Sequence, residues 1–224
     1  YPDRKPKYGE TRLEVDHFTS KGVFEDVSFN VKAGEILAFS GLMGAGRTEI
    51  MRAIFGIDKH DSGTIKINGQ EVKLKSPSDS IKHSVGFLTE DRKDEGLILD
   101  ATIADNIDLP SIDGFVKHGL IDQKADNDFV EMLIKRLTVK ATGREDLAGD
   151  LSGGNQQKVV LAKWVGSGSQ VLILDEPTRG VDVGAKREIY DLMNELTDRG
   201  VAIIMISSDL QEVCLLYTSP SPRD

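Results

Sequence analysis

A glycine-rich segment of this chain has the residue types of a phosphate-binding loop. Residues 41–48 read Gly-Leu-Met-Gly-Ala-Gly-Arg-Thr and lie between a short apolar run and a predicted helix. Glycines let the backbone curl so that successive N–H groups point inward and hold an anion, and the amino end of a helix adds positive potential there. Taken alone, the segment has an alternative reading as an ordinary glycine turn. The pattern favours phosphate binding, and the residues expected to contact a nucleotide are Gly41, Gly44, Ala45, Gly46, Arg47, Thr48 and Glu49.

Position 47 departs from the usual phosphate loop, which has a lysine there. Arg47 keeps the positive charge. A guanidinium, however, is planar and donates hydrogen bonds in a bidentate manner, whereas a lysine ammonium is compact. We expect a nucleotide still to bind and the geometry needed for cleavage to be impaired. The next residue, Thr48, would give its hydroxyl to Mg²⁺.

Two acidic residues follow a continuous apolar run. Residues 171–174 read Val-Leu-Ile-Leu and are followed by Asp175 and Glu176. Removing carboxylates from water at the end of a buried strand costs free energy unless a cation lies next to them. We predict that Asp175 holds the Mg²⁺, directly or through water, and that Glu176 orients or deprotonates the attacking water. A charged surface turn is the alternative, and Asp182 in the same loop could reach across a partner interface.

A third segment, Leu-Ser-Gly-Gly-Asn-Gln at residues 151–156, precedes an amphipathic helix. Ser152 is a residue type that caps helices, and its hydroxyl and the glycine N–H groups would remain free to bind an oxyanion. Taken alone, the segment predicts no more than a capped helix start.

The elements that must position these motifs follow from the spacing of apolar residues. Residues 11–18 and 24–31 alternate and carry β-branched or aromatic residues, which predicts strands of a small antiparallel sheet. Residues 62–69 predict a hairpin strand with its turn.

A second set of strands predicts an α/β core. Residues 36–40 and 85–89 read as short strands, and the apolar runs 171–174 and 201–206 have the composition of parallel strands buried on both faces. The predicted helix between the last two strands has a stripe of apolar residues that would face the sheet. Ligands bind at the carboxyl ends of such parallel strands.

The middle of the chain, from about residue 97 to 165, shows a helical pattern. One predicted helix places five apolar residues on a single face: Phe129, Val130, Leu133, Ile134 and Leu137. The predicted fold class is therefore α/β, with a small antiparallel β subdomain and an inserted helical subdomain. With its phosphate loop, this arrangement resembles a P-loop NTPase core.

Composition limits the class of protein. A hydrophobic content of 39% is ordinary for a globular domain. The net charge of −9 argues against a nucleic-acid partner, which would normally meet a basic face. We find no apolar run long enough to span a bilayer and no signal peptide, so membrane contact would come through a protein partner. The single cysteine fits a reducing compartment.

The order of the three motifs resembles the ATP-binding cassette family, as its Walker A, signature and Walker B motifs. The resemblance covers essentially residues 11–213. It is sharper in the phosphate loop, in Glu-Asp-Arg-Lys-Asp-Glu-Gly at 90–96 and in Asp-Glu-Pro-Thr-Arg-Gly-Val-Asp at 175–182. Together these resemble the second cassette of the tandem ATP-binding subunits of bacterial monosaccharide importers of the ribose, galactose and xylose type.

The resemblance implies an ATPase that uses ATP and Mg²⁺ to power sugar uptake at the cytoplasmic face of the bacterial inner membrane. A first cassette would lie upstream of Tyr1 and face this one head to tail. The implied partners are that cassette, the membrane permease subunits and, indirectly, a periplasmic sugar-binding protein. The signature would then contact the ATP of the partner cassette through Ser152, Gly153, Gly154 and Asn155.

Three positions depart from a hydrolytic cassette of that family. Arg47 replaces the loop lysine, Glu90 stands where a glutamine senses Mg²⁺ and the transporter, and Ser208 takes the place of the switch histidine. A serine can donate a hydrogen bond but cannot carry a proton charge near neutral pH as histidine does. We expect this chain's own site to bind ATP and turn over slowly, while its signature completes the partner's site. Because Glu176 is present, full activity is the alternative.

Two further features are implied by the same resemblance. Phe18 lies upstream of Arg47 at the interval where the family has an adenine-stacking aromatic, and a core phenylalanine is the alternative. Residues 86–110 would form the surface that receives a coupling helix of the membrane subunit.

The two ends are predicted to lie outside the domain. Residues 1–10 are polar and contain prolines, as in a linker entering from upstream. The segment 214–224 interrupts a strand-to-helix unit and reads like the translation of a transposase adapter used in DNA sequencing, so we interpret it as an artefact. A natural disordered tail is the alternative. The nucleotide-binding domain would then be residues 11–213, truncated at its carboxyl end.

Two other functions stay open. One is a regulatory ATP-binding module that dimerises on ATP but hardly hydrolyses it. The other is a non-transport ATPase of the same superfamily that acts on chromosomes or ribosomes, which would need coiled-coil heptads or a basic groove. The sequence shows neither.

Overall fold

The computed structural model describes residues 8–41 and 46–216. In these ranges the chain forms two compact units. The first contains the residues up to Phe87, Gln170–Pro177 and the residues from Tyr190 onward, and the second contains Leu88–Ser169 and Thr178–Ile189.

The strands, in chain order, are β1 (Thr11–Ser20), β2 (Phe24–Lys32), β3 (Ile36–Ser40), β4 (Ser62–Ile67), β5 (Gln70–Val72), β6 (Val85–Leu88), β7 (Val116–Lys117), β8 (Leu120–Ile121), β9 (Val171–Asp175) and β10 (Ala202–Ser207). The helices are α1 (Arg47–Ile54), α2 (Pro77–Lys82), α3 (Ile103–Asp108), α4 (Gln123–Arg136), α5 (Gly153–Gly166), α6 (Val183–Asp198) and α7 (Leu210–Leu216).

One sheet of the first unit is antiparallel, with the strand order β2-β1-β4-β5. Its central strand β1 buries the alternating residues Leu13 and Val15, together with Phe18. The β4–β5 hairpin turns at Asn68 and Gly69, which both have positive φ, at 51° and 77°, as a two-residue hairpin turn requires. The prediction of a small antiparallel sheet is confirmed.

The other sheet of this unit has the order β3-β10-β9-β6. Strand β10 pairs in parallel with both β3 and β9. Every residue of β9 and β10 is buried, which confirms the prediction of parallel strands covered on both faces. Because the three strands run in the same direction, the segments that follow them emerge at one edge of the sheet. That edge carries Gly41 after β3, Asp175 and Glu176 at the end of β9, and Ser208 after β10.

The second unit is mainly helical and contains α3, α4 and α5. The predicted apolar face of this helix is confirmed in part: Val130 and Leu133 in α4 and Leu137 directly after it are buried, while Phe129 and Ile134 are half-buried. The unit also contains an antiparallel pair, β7 with β8, which the helical prediction missed. These strands have two residues each and join through His118 and Gly119, both with positive φ. Strands this short give no alternation that could be detected.

The predicted ends fall partly outside the described residues. Residues 1–7 and 217–224 lie outside them, so the interpretations of a linker and of an adapter-encoded tail stay predictions. Cys214 lies in α7, which continues to Leu216. Among the described residues no helix has the length and apolar character to cross a membrane.

Candidate functional site

The amino end of α1 carries the described part of the phosphate loop. Gly46 lies directly before α1 with φ of 77°, a left-handed conformation that glycine adopts without a steric penalty. This conformation turns the chain into the helix so that its first N–H groups face outward from the helix end. Glu49 lies in the first turn. The predicted contacts of Gly44 and Ala45 lie outside the described residues.

The Arg47 side chain folds back over the start of the loop. Its Cζ, Nε and Nη1 atoms lie 3.9 Å from the position that a Cβ on Gly41 would take. Burial raises the pKa of Asp175, and the positive charge of Arg47 offsets a small part of that rise. The charge of Arg47 is thus placed at the loop, where a lysine ammonium would otherwise meet the phosphates.

Thr48 and Asp175 meet at the edge of the parallel sheet. The Thr48 hydroxyl donates a hydrogen bond of 2.7 Å to Oδ2 of Asp175. Asp175 is fully buried, and its Oδ1 atom has no hydrogen-bond donor among the described residues. Burial, the largest cause, raises the pKa of Asp175 to about 6, and the nearby Glu176 carboxylate also raises it.

This pair fits a magnesium ion. A hydroxyl and a buried carboxylate oxygen are hard ligands of the type that Mg²⁺ prefers, and a cation would offset the cost of the buried charge. Within the described ranges no group of three or more His, Cys, Asp or Glu residues is arranged to hold a metal. The remaining ligands would therefore be phosphate oxygens and water, as is usual for Mg²⁺ with nucleotides.

Glu176 is held in a strained backbone conformation. Its φ is 48°, which is uncommon for a residue with a side chain. Its N–H donates a hydrogen bond of 3.0 Å to the carbonyl of Ile206, and its Oε1 atom accepts one of 2.7 Å from the N–H of Ser208. The structure thus brings the predicted base and the predicted switch position together, through the backbone of Ser208 rather than its hydroxyl.

The signature segment begins α5, and one prediction about it is wrong. Ser152 occupies the N-cap position, but its side chain makes no capping hydrogen bond. The Ser152 Oγ atom instead accepts a hydrogen bond of 3.0 Å from Nδ2 of Asn155. The Asn155 side chain is also held on its other side, because its Oδ1 atom accepts a hydrogen bond of 2.9 Å from the N–H of Lys140. The first N–H groups of α5 therefore lack a side-chain cap from Ser152 and face outward at Gly153 and Gly154.

Glu90 makes an ion pair with Arg179. Both residues belong to the second unit, and their side chains are about a third and more than half exposed. In the same unit Asp182 accepts a hydrogen bond of 3.0 Å from the N–H of Ala185. Backbone donors to this carboxylate lower the pKa of Asp182, which fits a charged cap at the start of α6.

Phe18 lies in the core. Its ring is fully buried and stacks on Phe24 at a centroid distance of 5.5 Å, while His60 lies 4.5 Å away on a tilted ring. The structure favours the core role for Phe18, and adenine stacking stays a prediction.

Three residues of the second unit were missed as site residues: Arg92, Gln156 and Arg179. The Arg92 guanidinium contacts both the start of α5 and the loop at 179–180. The signal was present in the sequence, because Arg92 lies in the segment 90–96 and Arg179 in the segment 175–182. The contact between Arg92 and Arg179 depends on the tertiary fold, so the spacing of these residues in the sequence could not predict it.

A family model described as "ABC transporter" matches residues 24–179. A curated protein named "Ribose import ATP-binding protein RbsA" from Lacticaseibacillus paracasei is 73% identical over 213 residues, which are 95% of this chain and 43% of that protein. Its namesake from Bacillus subtilis is 61% identical with the same coverage. The chain thus spans less than half the length of these relatives.

Solved structures share the fold. The dimeric post-hydrolysis structure of the ATP-binding cassette MJ0796 with ADP and Pi aligns with a TM-score of 0.77, 21% identity and 89% coverage of both chains. The structure of cbiO1 from Clostridium perfringens, described as part of an ABC transporter complex, aligns with a TM-score of 0.75, 23% identity, and coverage of 93% of this chain and 83% of that one.

Proposed function

Because the chain belongs to the ABC transporter family, we propose that it is an ATP-binding and ATP-hydrolysing cassette of a bacterial importer for ribose or a closely related monosaccharide. The identity to ribose import ATP-binding proteins over nearly the whole chain supports the sugar class. The three motifs and their positions in the fold support the reaction.

The chain's own residues would divide the work of hydrolysis. The N–H groups at the start of α1 and Arg47 would bind the phosphates, and Thr48 with Asp175 would hold a Mg²⁺ ion. When bound, Mg²⁺ neutralises the charge that develops on the transferred phosphoryl group. Glu176 orients the water that attacks the terminal phosphorus and accepts its proton. The bond between the last two phosphates breaks, which yields ADP and inorganic phosphate.

We propose that this site is slower than the partner site. Arg47 replaces the compact lysine ammonium, Glu90 is engaged with Arg179, and Ser208 reaches Glu176 only through its N–H. None of these contacts supplies the proton-carrying group that a histidine would. The signature segment, from Ser152 to Asn155, keeps its helix-end N–H groups and would complete the ATP site of the partner cassette.

The proposed assembly has a second cassette on the same polypeptide. Permease subunits and, through them, a periplasmic sugar-binding protein would be the further partners. The cassette would lie at the cytoplasmic face of the inner membrane as a peripheral subunit. With a net charge of −9, the chain offers no general attraction to nucleic acid.

The single observation that carries this proposal is the hydrogen bond from Thr48 to the buried Asp175, whose other carboxylate oxygen has no hydrogen-bond donor among the described residues. The test is Mg²⁺-dependent ATP binding and turnover by the full-length protein. Glu176→Gln is compared with the matching change in the upstream cassette. Turnover that falls in both variants supports two hydrolytic sites. Turnover that falls only in the upstream variant favours a regulatory module. The absence of any Mg²⁺-dependent ATP binding would overturn the proposal.

A further inference from the structure

We propose that Arg92 is a positioning residue for the nucleotide that the partner cassette holds, because it fixes the amino end of α5. This inference depends on the proposed function, since it assigns a role to the signature segment of the same cassette. Arg92 itself touches no nucleotide in this proposal. It acts through the helix end that does.

The Arg92 guanidinium joins two segments that adjoin the signature. Its Nη1 atom donates a hydrogen bond of 3.1 Å to the carbonyl of Arg179, and its Nε atom donates one of 3.4 Å to Oε1 of Gln156. Gln156 lies in the first turn of α5, is 3% exposed, and donates a hydrogen bond of 3.2 Å to the carbonyl of Ala148. Arg92 therefore contacts the start of α5 through a side chain that is itself fixed.

Gly153 and Arg92 occupy complementary space. A Cβ on Gly153 would lie 2.7 Å from Nη2 of Arg92 and 3.4 Å from the carbonyl oxygen of Gly180. The first distance is shorter than real Cβ contacts, so a side chain at position 153 would displace the end of the guanidinium. The same closeness brings a fixed positive charge to the end of α5, where it adds to the potential that attracts an anion.

The segment that carries Arg92 is attached to α5 at its other end as well. A single π-helical turn runs from Arg92 to Gly96, and Nζ of Lys163 on α5 donates a hydrogen bond of 2.6 Å to the carbonyl of Gly96. The side chain of Val160 lies 3.3 Å from where a Cβ on Gly96 would be. Because Lys163 is buried, its pKa is lowered to about 8. The turn therefore contacts α5 at two points.

The loop on the other side of Arg92 is also fixed. The Arg179 side chain pairs with Glu90, while its carbonyl accepts from Arg92. One short segment, 90–96, thus holds both the loop at 179–180 and the start of α5. A change in that segment would be passed to the signature through Arg92.

The experiment uses the full-length protein with Glu176→Gln in this cassette, so that turnover reports the site that this chain's signature completes. Arg92→Ala is expected to raise the KM for ATP by about tenfold, the usual effect of losing hydrogen bonds from a charged group, with a smaller change in kcat. Arg92→Lys is expected to rescue less than half of that loss, because an ammonium cannot donate in two directions as a guanidinium does. Arg199→Ala, at the exposed end of α6, is the matched control and should keep the parent KM.

Gly153→Ala tests the same contact from the helix end, and it is interpreted together with the double variant because Gly153 is itself assigned to the partner's ATP. The added methyl group displaces the guanidinium, so this variant is expected to raise the KM about as much as Arg92→Ala does. The double variant should be no worse than either single one, because residues that share one contact are not additive. Thermal unfolding identifies any variant that fails to fold, and Arg92→Lys and Gly153→Ala then decide the question.

The outcomes separate the two proposals. If the full-length protein shows no Mg²⁺-dependent ATP turnover either with or without Glu176→Gln, the proposed function fails. If the parent turns over and both Arg92→Ala and Gly153→Ala keep its KM, the role of Arg92 is wrong while the proposed function stands. Additive losses in the double variant would also overturn the positioning role.

Discussion

The N–H of Ser208 donates a hydrogen bond of 2.7 Å to Oε1 of Glu176, which joins the residue after β9 to the residue after β10. A second bond, from the Glu176 N–H to the carbonyl of Ile206, has a length of 3.0 Å. Together they hold Glu176 at a positive φ, a conformation that costs about 1–3 kcal/mol. Where the resemblance places a histidine side chain, this chain therefore uses a backbone amide to fix its carboxylate.

This contact predicts how substitutions at position 208 will rank. Ser208→Pro removes the N–H, and we expect turnover at this cassette's own site to fall by about tenfold, or ~1.4 kcal/mol in the barrier. Ser208→Ala keeps the N–H, so its loss of turnover should be several-fold smaller. The measurement is steady-state ATPase activity of the full-length protein with the upstream glutamate changed to glutamine. Equal losses in the two variants would show that the hydroxyl, not the amide, matters.

A substitution at Arg47 is predicted to raise turnover rather than lower it. Arg47→Lys restores the compact ammonium that sits between the last two phosphates. We expect turnover at this site to rise by about tenfold, because the bound phosphates gain the usual geometry for cleavage. The same upstream-inactivated protein is the assay, and Arg52→Lys in the same helix is the control. Unchanged or lower turnover would mean that the arginine is not what limits this site.

Asp175→Asn separates metal binding from folding. The substitution keeps the shape and can still accept from Thr48, but it removes a carboxylate whose pKa is raised to about 6 by burial. We expect Mg²⁺-dependent ATP affinity to fall by about tenfold or more, while unfolding without ligand shifts to higher temperature at pH 8, because a buried charge has been removed. Calorimetry of ATP binding with and without Mg²⁺, together with thermal unfolding, measures both effects. An affinity loss of equal size without Mg²⁺ would contradict the assigned role.

Much of the fold could be predicted because its signals are local. The buried runs of β9 and β10 are continuous and apolar, and the faces of β1 and α4 show the period of their element. The β7–β8 hairpin could not be predicted, because strands of two residues have no period. The end of β6 at Leu88, one residue before the predicted end, is set by tertiary pairing rather than by local sequence.

The site was predictable where a motif fixes the chemistry. Thr48 and Asp175, both predicted as magnesium ligands, lie within hydrogen-bond distance of each other, and their role with Mg²⁺ stays a prediction. The capping of α5 was predicted wrongly, since residue type at position 152 does not show that Asn155 would donate to that hydroxyl. The contacts of Arg92 join segments far apart in the chain, and no spacing rule brings such residues together.

A pair of carboxylates in the second unit predicts a pH effect on stability. Burial, followed by the charge of Asp126, raises the pKa of Asp108 to about 6 from an ordinary value of 3.8. The folded state therefore binds the proton more tightly, so this stabilising contribution is present below about pH 4 and is lost as the pH rises through 6.

Asp108→Asn should remove the loss of stability that follows ionisation of the Asp108 carboxyl. We expect the variant to be more stable than the parent by on the order of 1–2 kcal/mol at pH 8 and similar to it at pH 4. Urea unfolding at the two pH values measures the difference. Asp128→Asn, on an exposed side chain of α4, is the control and should show no such change. A difference independent of pH would mean that the carboxyl does not titrate as described.

The ion pair between Glu90 and Arg179 allows the asymmetry of the two sites to be tested directly. Both side chains are substantially exposed, so breaking the pair should change the free energy of unfolding little. Glu90→Gln restores the neutral amide that the resemblance places there and releases it from Arg179. We expect turnover at this cassette's own site to rise several-fold, because the resemblance assigns the neutral amide at this position to sensing Mg²⁺. Arg179→Ala breaks the same pair but keeps the carboxylate, so it should not raise turnover. If both variants raise turnover equally, the ion pair itself restrains the site, and if neither does, Glu90 is not a cause of the slow turnover.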